Sequence, residues 1–210
     1  MRIFAATSSS SDSVAVLYKL LTETTDDIVS RILHLDASDQ DLKQYPIVCN
    51  WLRENVRDFD FGLSEFEDRA SDVMLETIRS KNYNVALLSE THKVDLICLG
   101  INTYNWSHAT WYFQTREPID NFYAKDNRYS RVDHSILKDY TDIPIDWPLM
   151  NRKINPMGRW QTWETIPQEL QKLVSLCPCG ECSKCKCWEW YNKKKNEGFG
   201  AEELDDLIMK

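Results

Sequence analysis

Five of the seven cysteines in this 210-residue chain fall within eleven positions, as Cys177, Cys179, Cys182, Cys185 and Cys187 in the run CPCGECSKCKC. Thiolates two residues apart turn back onto one metal ion, and a tetrahedral zinc shell takes four of them. The cluster therefore reads as a structural metal knot. Lys184, Lys186, Lys193, Lys194 and Lys195 surround it. They either offset the negative charge of a thiolate site or supply a local contact to RNA or DNA. Cys49 and Cys98 stand in apolar company and read as buried small hydrophobes. His34 in HLD and His134 in DHS read as local hydrogen-bonding residues, since thiolates already suffice for a metal.

A second chemical signal lies at the opposite end, in Ser8, Ser9, Ser10, Ser11, Asp12 and Ser13. Between a strand and a helix, backbone N–H groups and the helix dipole favour a bound phosphate. Serine hydroxyls add donors, and Asp12 or Ser13 can cap the helix. A polar turn with a good cap is the plain alternative.

The elements that must position these residues follow from the apolar pattern. Residues 3–7 read as a buried strand, and a helix is expected over residues 12–22. Val14, Leu17, Tyr18 and Leu21 form its apolar stripe at i, i+3, i+4 and i+7. Strands are expected at 28–36, 59–63 and 94–100, with helices at 42–55, 65–79 and 85–93. This order predicts an α/β fold, a Rossmann-like doubly wound parallel sheet whose ligands sit beyond the C-terminal strand ends near the switch point. Residues 101–146 carry Trp106, Trp111, Tyr112, Phe113, Phe122 and Tyr123 in no clear period. They read as a substrate loop or as a packed excursion. Helical character returns over 149–174, with Pro156 and Pro167 marking starts. The expected organisation is an α/β domain at 1–175, a metal knot at 176–195 and a tail at 196–210 that forms a short helix or frays.

Composition bounds the function classes. Apolar residues make up 42% and charged residues 28%, the balance of a soluble globular protein. No apolar run approaches the ~20 residues of a membrane span. The start, MRIFAATSSSSDS, lacks a secretory pattern. A cytoplasmic location is expected, where clustered cysteines favour metal over disulfides. A net charge of −8 opposes non-specific binding to nucleic acid. Homodimerisation is left open.

Read together, these signals resemble a family. Ser8, Asp12 and Ser13 match the Ser-Gly-Gly-x-Asp-Ser loop of the ATP pyrophosphatase (PP-loop) superfamily, whose fold is adenine nucleotide alpha hydrolase-like. Gly100 and Asn102 in LGIN resemble its second nucleotide-proximal turn. Pro148, Leu149 and Lys153 are similar to its Pro-Leu…Lys segment. Within the superfamily the tail is most similar to 7-cyano-7-deazaguanine (preQ0) synthases of queuosine biosynthesis. Cys179-Gly180-Glu181-Cys182-Ser183-Lys184-Cys185 reproduces their Cys-Gly-x-Cys-x-x-Cys, and Cys177 takes the place of their first cysteine.

The resemblance implies ATP bound over Ser8, Ser9, Ser10, Ser11, Asp12, Ser13 and Gly100, with Mg²⁺ on its phosphates. A 7-carboxy-7-deazaguanine would be adenylated and then converted by ammonia to the amide or nitrile. Asp12 and Ser13 would position phosphate or metal. Lys153 would stabilise developing charge, or it is a solvated helix lysine. Zn²⁺ would be held by Cys177, Cys179, Cys182 and Cys185, closed to water and hence structural. Cys187 is then a spare, or it exchanges with Cys177.

The chain departs from the family where Ser9 and Ser10 replace glycines. Glycine serves positive φ or close backbone approach, and a serine held in the left-handed region costs ~1–2 kcal/mol. Either ATP binding is weakened, or a compensated loop lets the hydroxyls donate to phosphate. The alternatives are therefore a PP-loop nucleotide-binding protein without turnover, or another PP-loop enzyme acting on tRNA or sulfonucleotides.

Overall fold

The computed structural model describes residues 1–7, 9–33, 39–64, 74–100, 137–146, 159–174, 181 and 183–209. Five strands form one parallel sheet: β1 (Arg2–Thr7), β2 (Asp27–Ile32), β3 (Asp60–Leu63), β4 (Leu96–Leu99) and β5 (Ile145–Asp146). Their order across the sheet is β3-β2-β1-β4-β5. β1 lies at the centre, so both its faces are covered and its sequence is an unbroken apolar run. Ile3 and Ala5 join one apolar cluster and Phe4 the other, as the two-residue period of a strand requires.

Helices α1 (Ser11–Glu23) and α2 (Asp39–Asn55) pack on the Ile3 face, while α3 (Met74–Thr91) supplies Val85, Ala86 and Leu88 to the Phe4 face. This is the doubly wound arrangement expected. Helix α3 runs unbroken through residues 80–84, where the sequence pattern indicates a gap between two helices. Residues 65–73 of the first expected helix lie outside the described residues. Helix α1 is also buried beyond its predicted stripe, at Ala15, Val16 and Leu20. The reason is tertiary: the sheet covers one side of α1 and C-terminal helices pack against it as well.

Those C-terminal helices are α4 (Arg159–Glu164), α5 (Gln168–Gln171), α6 (Ser183–Asn196) and α7 (Ala201–Met209). Trp160 of α4 is fully buried, stacked at 4.4 Å on Tyr191 and edge-on to Trp188 at 5.3 Å. Asp205 of α7 is 4% exposed, and its two carboxylate oxygens accept the backbone N–H groups of Trp160 and Gln161, each at 3.0 Å. A residue from the far end of the chain therefore caps α4. The α6–α7 turn closes at Gly198, whose φ of +97° is open to glycine, with Phe199 N–H reaching the Lys194 carbonyl. The tail is thus a docked helix, with Leu204 wholly buried. Residues of α6 and α7 share one apolar cluster with Ile3, Leu17 and Ile28.

Candidate functional site

The site begins with topology. β1 and β4 are parallel neighbours, but the connection leaving β1 covers one face of the sheet and the connection entering β4 covers the other. Chain segments diverge above their C-terminal ends, and a crevice opens there. Residues 9–13 rise from β1 on one side of it, and Gly100 follows β4 on the other. Ser8, named in the sequence reading, lies outside the described residues, as do Asn102, Pro148, Leu149, Lys153, His34 and His134.

Gly100 is held against the first turn of α1. A Cβ placed on it would lie 3.0 Å from Ser13 Cα, 3.1 Å from Ser13 N and 3.3 Å from the Asp12 carbonyl carbon. Every one of these atoms is backbone, so no rotamer change relieves the contact. Gly100, Asp12 and Ser13, expected as parts of one site, are adjacent in the fold.

Helix α1 starts one residue earlier than expected. Ser10 is the N-cap, with φ −74° and ψ 157°, and its carbonyl accepts the Val14 N–H at 3.0 Å. Asp12 and Ser13, expected as caps, instead lie inside the first turn. Ser10 makes no side-chain cap bond, and its hydroxyl faces Ser13 Oγ at 3.4 Å. Asp12 is 8% exposed and faces the Ser11 hydroxyl at 3.3 Å. The first turn of a helix directs N–H groups that lack intrahelical acceptors outward, at the positive end of the dipole.

The two serines that replace glycines are not strained. Lys93 is the sole non-glycine residue with positive φ among those described, so the left-handed cost weighed for Ser9 and Ser10 does not arise. Ser9 is fully buried, and its hydroxyl donates to Asp41 Oδ1 of α2 at 2.5 Å. Just before the loop, Thr7 Oγ1 bonds Ser30 Oγ of β2 at 2.5 Å, and Ser30 bonds the Tyr45 hydroxyl of α2 at 2.7 Å. Burial pushes the Tyr45 phenol well above its ordinary range, with the neighbouring Cys49 adding to it. Tyr45 therefore stays neutral and bonded.

Asp41, Tyr45, Ser30 and Thr7 did not stand out in the sequence. An acid in the first turn of a helix is an ordinary helix-start signal, and nothing local shows which loop lies across from it.

The thiols outside the cluster are chemically quiet. Burial pushes Cys49 and Cys98 up to about 12, so neither is a thiolate nucleophile at neutral pH. Within the cluster, Cys177, Cys179 and Cys182 lie outside the described residues, while Cys185 and Cys187 sit on α6. Two residues along a helix are about 200° apart around its axis. Accordingly Cys187 is wholly buried in the apolar core and Cys185 is half-buried. Among the described residues no three His, Cys, Asp or Glu side chains converge to hold a metal. The donor set of the cluster, read as chemistry, suits either tetrahedral zinc or an iron–sulfur centre. No helix among the described residues is long and apolar enough to cross a membrane.

No family model matches the sequence, and no curated protein matches it. Solved structures do provide a counterpart. The chain is similar in fold to a tRNA thiolase. The U34-tRNA thiolase NcsA from Methanococcus maripaludis, with its 4Fe-4S cluster, aligns at a TM-score of 0.54 and 13% identity, covering 100% of this chain and 70% of that one. At that identity the likeness is one of fold alone: a five-stranded parallel sheet of the Rossmann-like kind. Gly100, where a Cβ would collide with backbone, lies beside the N-terminus of α1 at the β1–β4 switch point, the place where sheets of this kind accept ligands.

Proposed function

We propose that this chain is an ATP-using PP-loop enzyme that adenylates an oxygen atom of a nucleobase substrate. The observation that carries the reading is the contact of Gly100 with Asp12 and Ser13 at the β1–β4 switch point. ATP lies with its phosphates over residues 8–13, and Asp12 and Ser13 orient the phosphates or their Mg²⁺. An acceptor oxygen attacks the α-phosphorus, the bond to the bridging oxygen breaks, and pyrophosphate leaves with that electron pair. The acceptor now carries AMP, so a nucleophile can attack its carbon and expel AMP with the oxygen. Such a site acts by alignment and charge neutralisation, with no protein nucleophile. The buried, protonated state of Cys49 and Cys98 accords with this.

Two acceptors fit this chemistry. The fold neighbour supports a base in tRNA, whose carbonyl oxygen would be replaced by sulfur. The Cys179–Cys185 motif and the net charge of −8 favour a free 7-carboxy-7-deazaguanine instead, with ammonia as nucleophile and the amide as product, or the nitrile if a second ATP adenylates the amide oxygen and AMP leaves with it. In both readings the cysteine cluster binds a metal. With Cys177, Cys179, Cys182 and Cys185 as thiolate ligands, zinc would serve to hold the C-terminal loop closed.

The test is incubation of the full chain with MgATP and one acceptor at a time, with AMP, pyrophosphate and product followed by mass spectrometry. AMP that requires 7-carboxy-7-deazaguanine and ammonia assigns the synthase reaction. AMP that requires tRNA and a sulfide donor assigns the thiolase type. MgATP binding without AMP in either mixture leaves a nucleotide-binding protein, and absence of MgATP binding refutes the proposal.

A further inference from the structure

We propose that Asp41 is a positioning residue of the phosphate loop, acting through Ser9 in place of the backbone freedom that glycines give a loop of this kind. The inference rests on the nucleotide reading above. It begins from a deficit: between β1 and α1 the chain has serines only, so each left-handed conformation that glycine adopts freely would cost the loop ~1–2 kcal/mol. Its shape has to be imposed by contacts. Two sets of contacts impose it, one on each side of residue 8, and both lead to α2. Ahead of the loop, the Thr7–Ser30–Tyr45 chain is buried and bonded at 2.5 and 2.7 Å. Beyond it, the Ser9 hydroxyl is wholly buried and given to Asp41 at 2.5 Å.

The direction of the Ser9 bond decides its role. A hydroxyl has one proton, and that of Ser9 goes to a carboxylate. Ser9 is therefore not a phosphate donor, in contrast to the compensated loop in which the hydroxyls bind phosphate. Its hydroxyl is turned to Asp41 of α2, and the residue is wholly buried. Hydrogen bonds to ionised groups are among the strong ones, so one such bond is able to hold a short loop. Asp41 does not touch the nucleotide in this account; it sets where the backbone of residues 9–11 lies.

The experiment is a double-mutant cycle on MgATP affinity, measured by calorimetry with the full chain. S9A and D41A are each expected to weaken binding about tenfold, equivalent to ~1.4 kcal/mol. The S9A/D41A double variant is expected to be no weaker than D41A, because the Ser9–Asp41 bond is already lost in D41A. D41N, whose amide oxygen still accepts from Ser9, recovers most of the D41A loss. Melting curves confirm that every variant is folded at the titration temperature. Should D41A not fold, D41L, which also lacks an acceptor for Ser9, takes its place in the cycle.

Wild-type binding that S9A and D41A leave unchanged overturns the clamp while leaving the nucleotide site intact. Independent, multiplied losses in the double variant overturn it also, as does tighter binding by S9G. A D41N variant as weak as D41A assigns the effect to charge and refutes the clamp. If the wild-type chain binds no MgATP, the nucleotide reading fails and the clamp fails with it.

Discussion

Gly100→Ala tests the candidate site most directly, because the structure specifies both the collision and its consequence. The added methyl group meets Ser13 Cα at 3.0 Å and Ser13 N at 3.1 Å. Carbon atoms in contact settle at about 3.5–4.0 Å, so β4 and the first turn of α1 must separate by roughly 0.5–1 Å. Overpacking of this kind costs about 1–3 kcal/mol, of which the lower unfolded-state entropy of alanine returns about 0.4–1. The net cost is about 0–2.6 kcal/mol, and for a chain of this size each kcal/mol lowers Tm by about 2–4 °C, so a fall of up to roughly 10 °C is expected. The functional loss should be larger than the stability loss suggests. The atoms pushed aside are those that align phosphate, and a ~1 Å misplacement at a reacting centre can cost about a hundredfold in rate.

The assay is a melting curve with MgATP titration and AMP formation on the same samples. Gly62→Ala is the matched control, since its Cβ meets only the flexible Arg31 side chain, at 3.8 Å or beyond. It should stay within about 0.5 kcal/mol of wild type and leave MgATP binding unchanged. Equal effects of the two substitutions, or a G100A protein that melts and binds like wild type, would refute the argument that Gly100 is there to let β4 approach α1.

Three further expectations follow from other parts of the fold. Asp205→Ala removes both acceptors from the Trp160 and Gln161 amides and should cost about 2–4 kcal/mol, visible as a lower Tm and altered tryptophan fluorescence; Asp205→Asn, with one acceptor oxygen left, should cost roughly half. Stability should fall above pH 9: the buried Cys49 and Cys98 keep their protons up to about 12 when folded, whereas the unfolded chain releases them from the ordinary value of 9.0. Their contribution is complete below pH 9 and is lost as pH rises to about 12, so urea titrations should show on the order of 1 kcal/mol lost per thiol at pH 10, and Cys49→Ala/Cys98→Ala should flatten the decline. Finally, Cys185→Ser should abolish bound metal measured by mass spectrometry, while Cys187→Ser retains it and melts lower, because Cys187 lies in the apolar core.

Local pattern alone determined much of this protein. The apolar runs within β1 and β4 and the largely apolar pattern of β2, separated by helical stripes, sufficed for a doubly wound parallel sheet, because buried strands and amphipathic helices each have their own period. The position of the serine loop after the first strand placed a candidate anion site without any knowledge of its surroundings. Cysteine spacing likewise pointed to a metal site, since ligand geometry is a short-range constraint.

What only the tertiary structure decided depends on partners distant in sequence. The conformation of Ser9 and Ser10 is one case: residue type raised the prospect of strain, yet φ is set by the whole loop, and Asp41 lies 32 positions away. The full burial of α1, the capping of α4 by Asp205 and the docking of α7 are others, each arising where helices separated by long stretches of chain share one core. The sequence motif marks Cys185 as a ligand and leaves Cys187 as a spare or an exchanging one, without saying where either thiol lies. A helix turned them to opposite sides, and the tryptophan-rich core took one of them. Chemical capacity was written locally; the contacts that aim it were written by the fold.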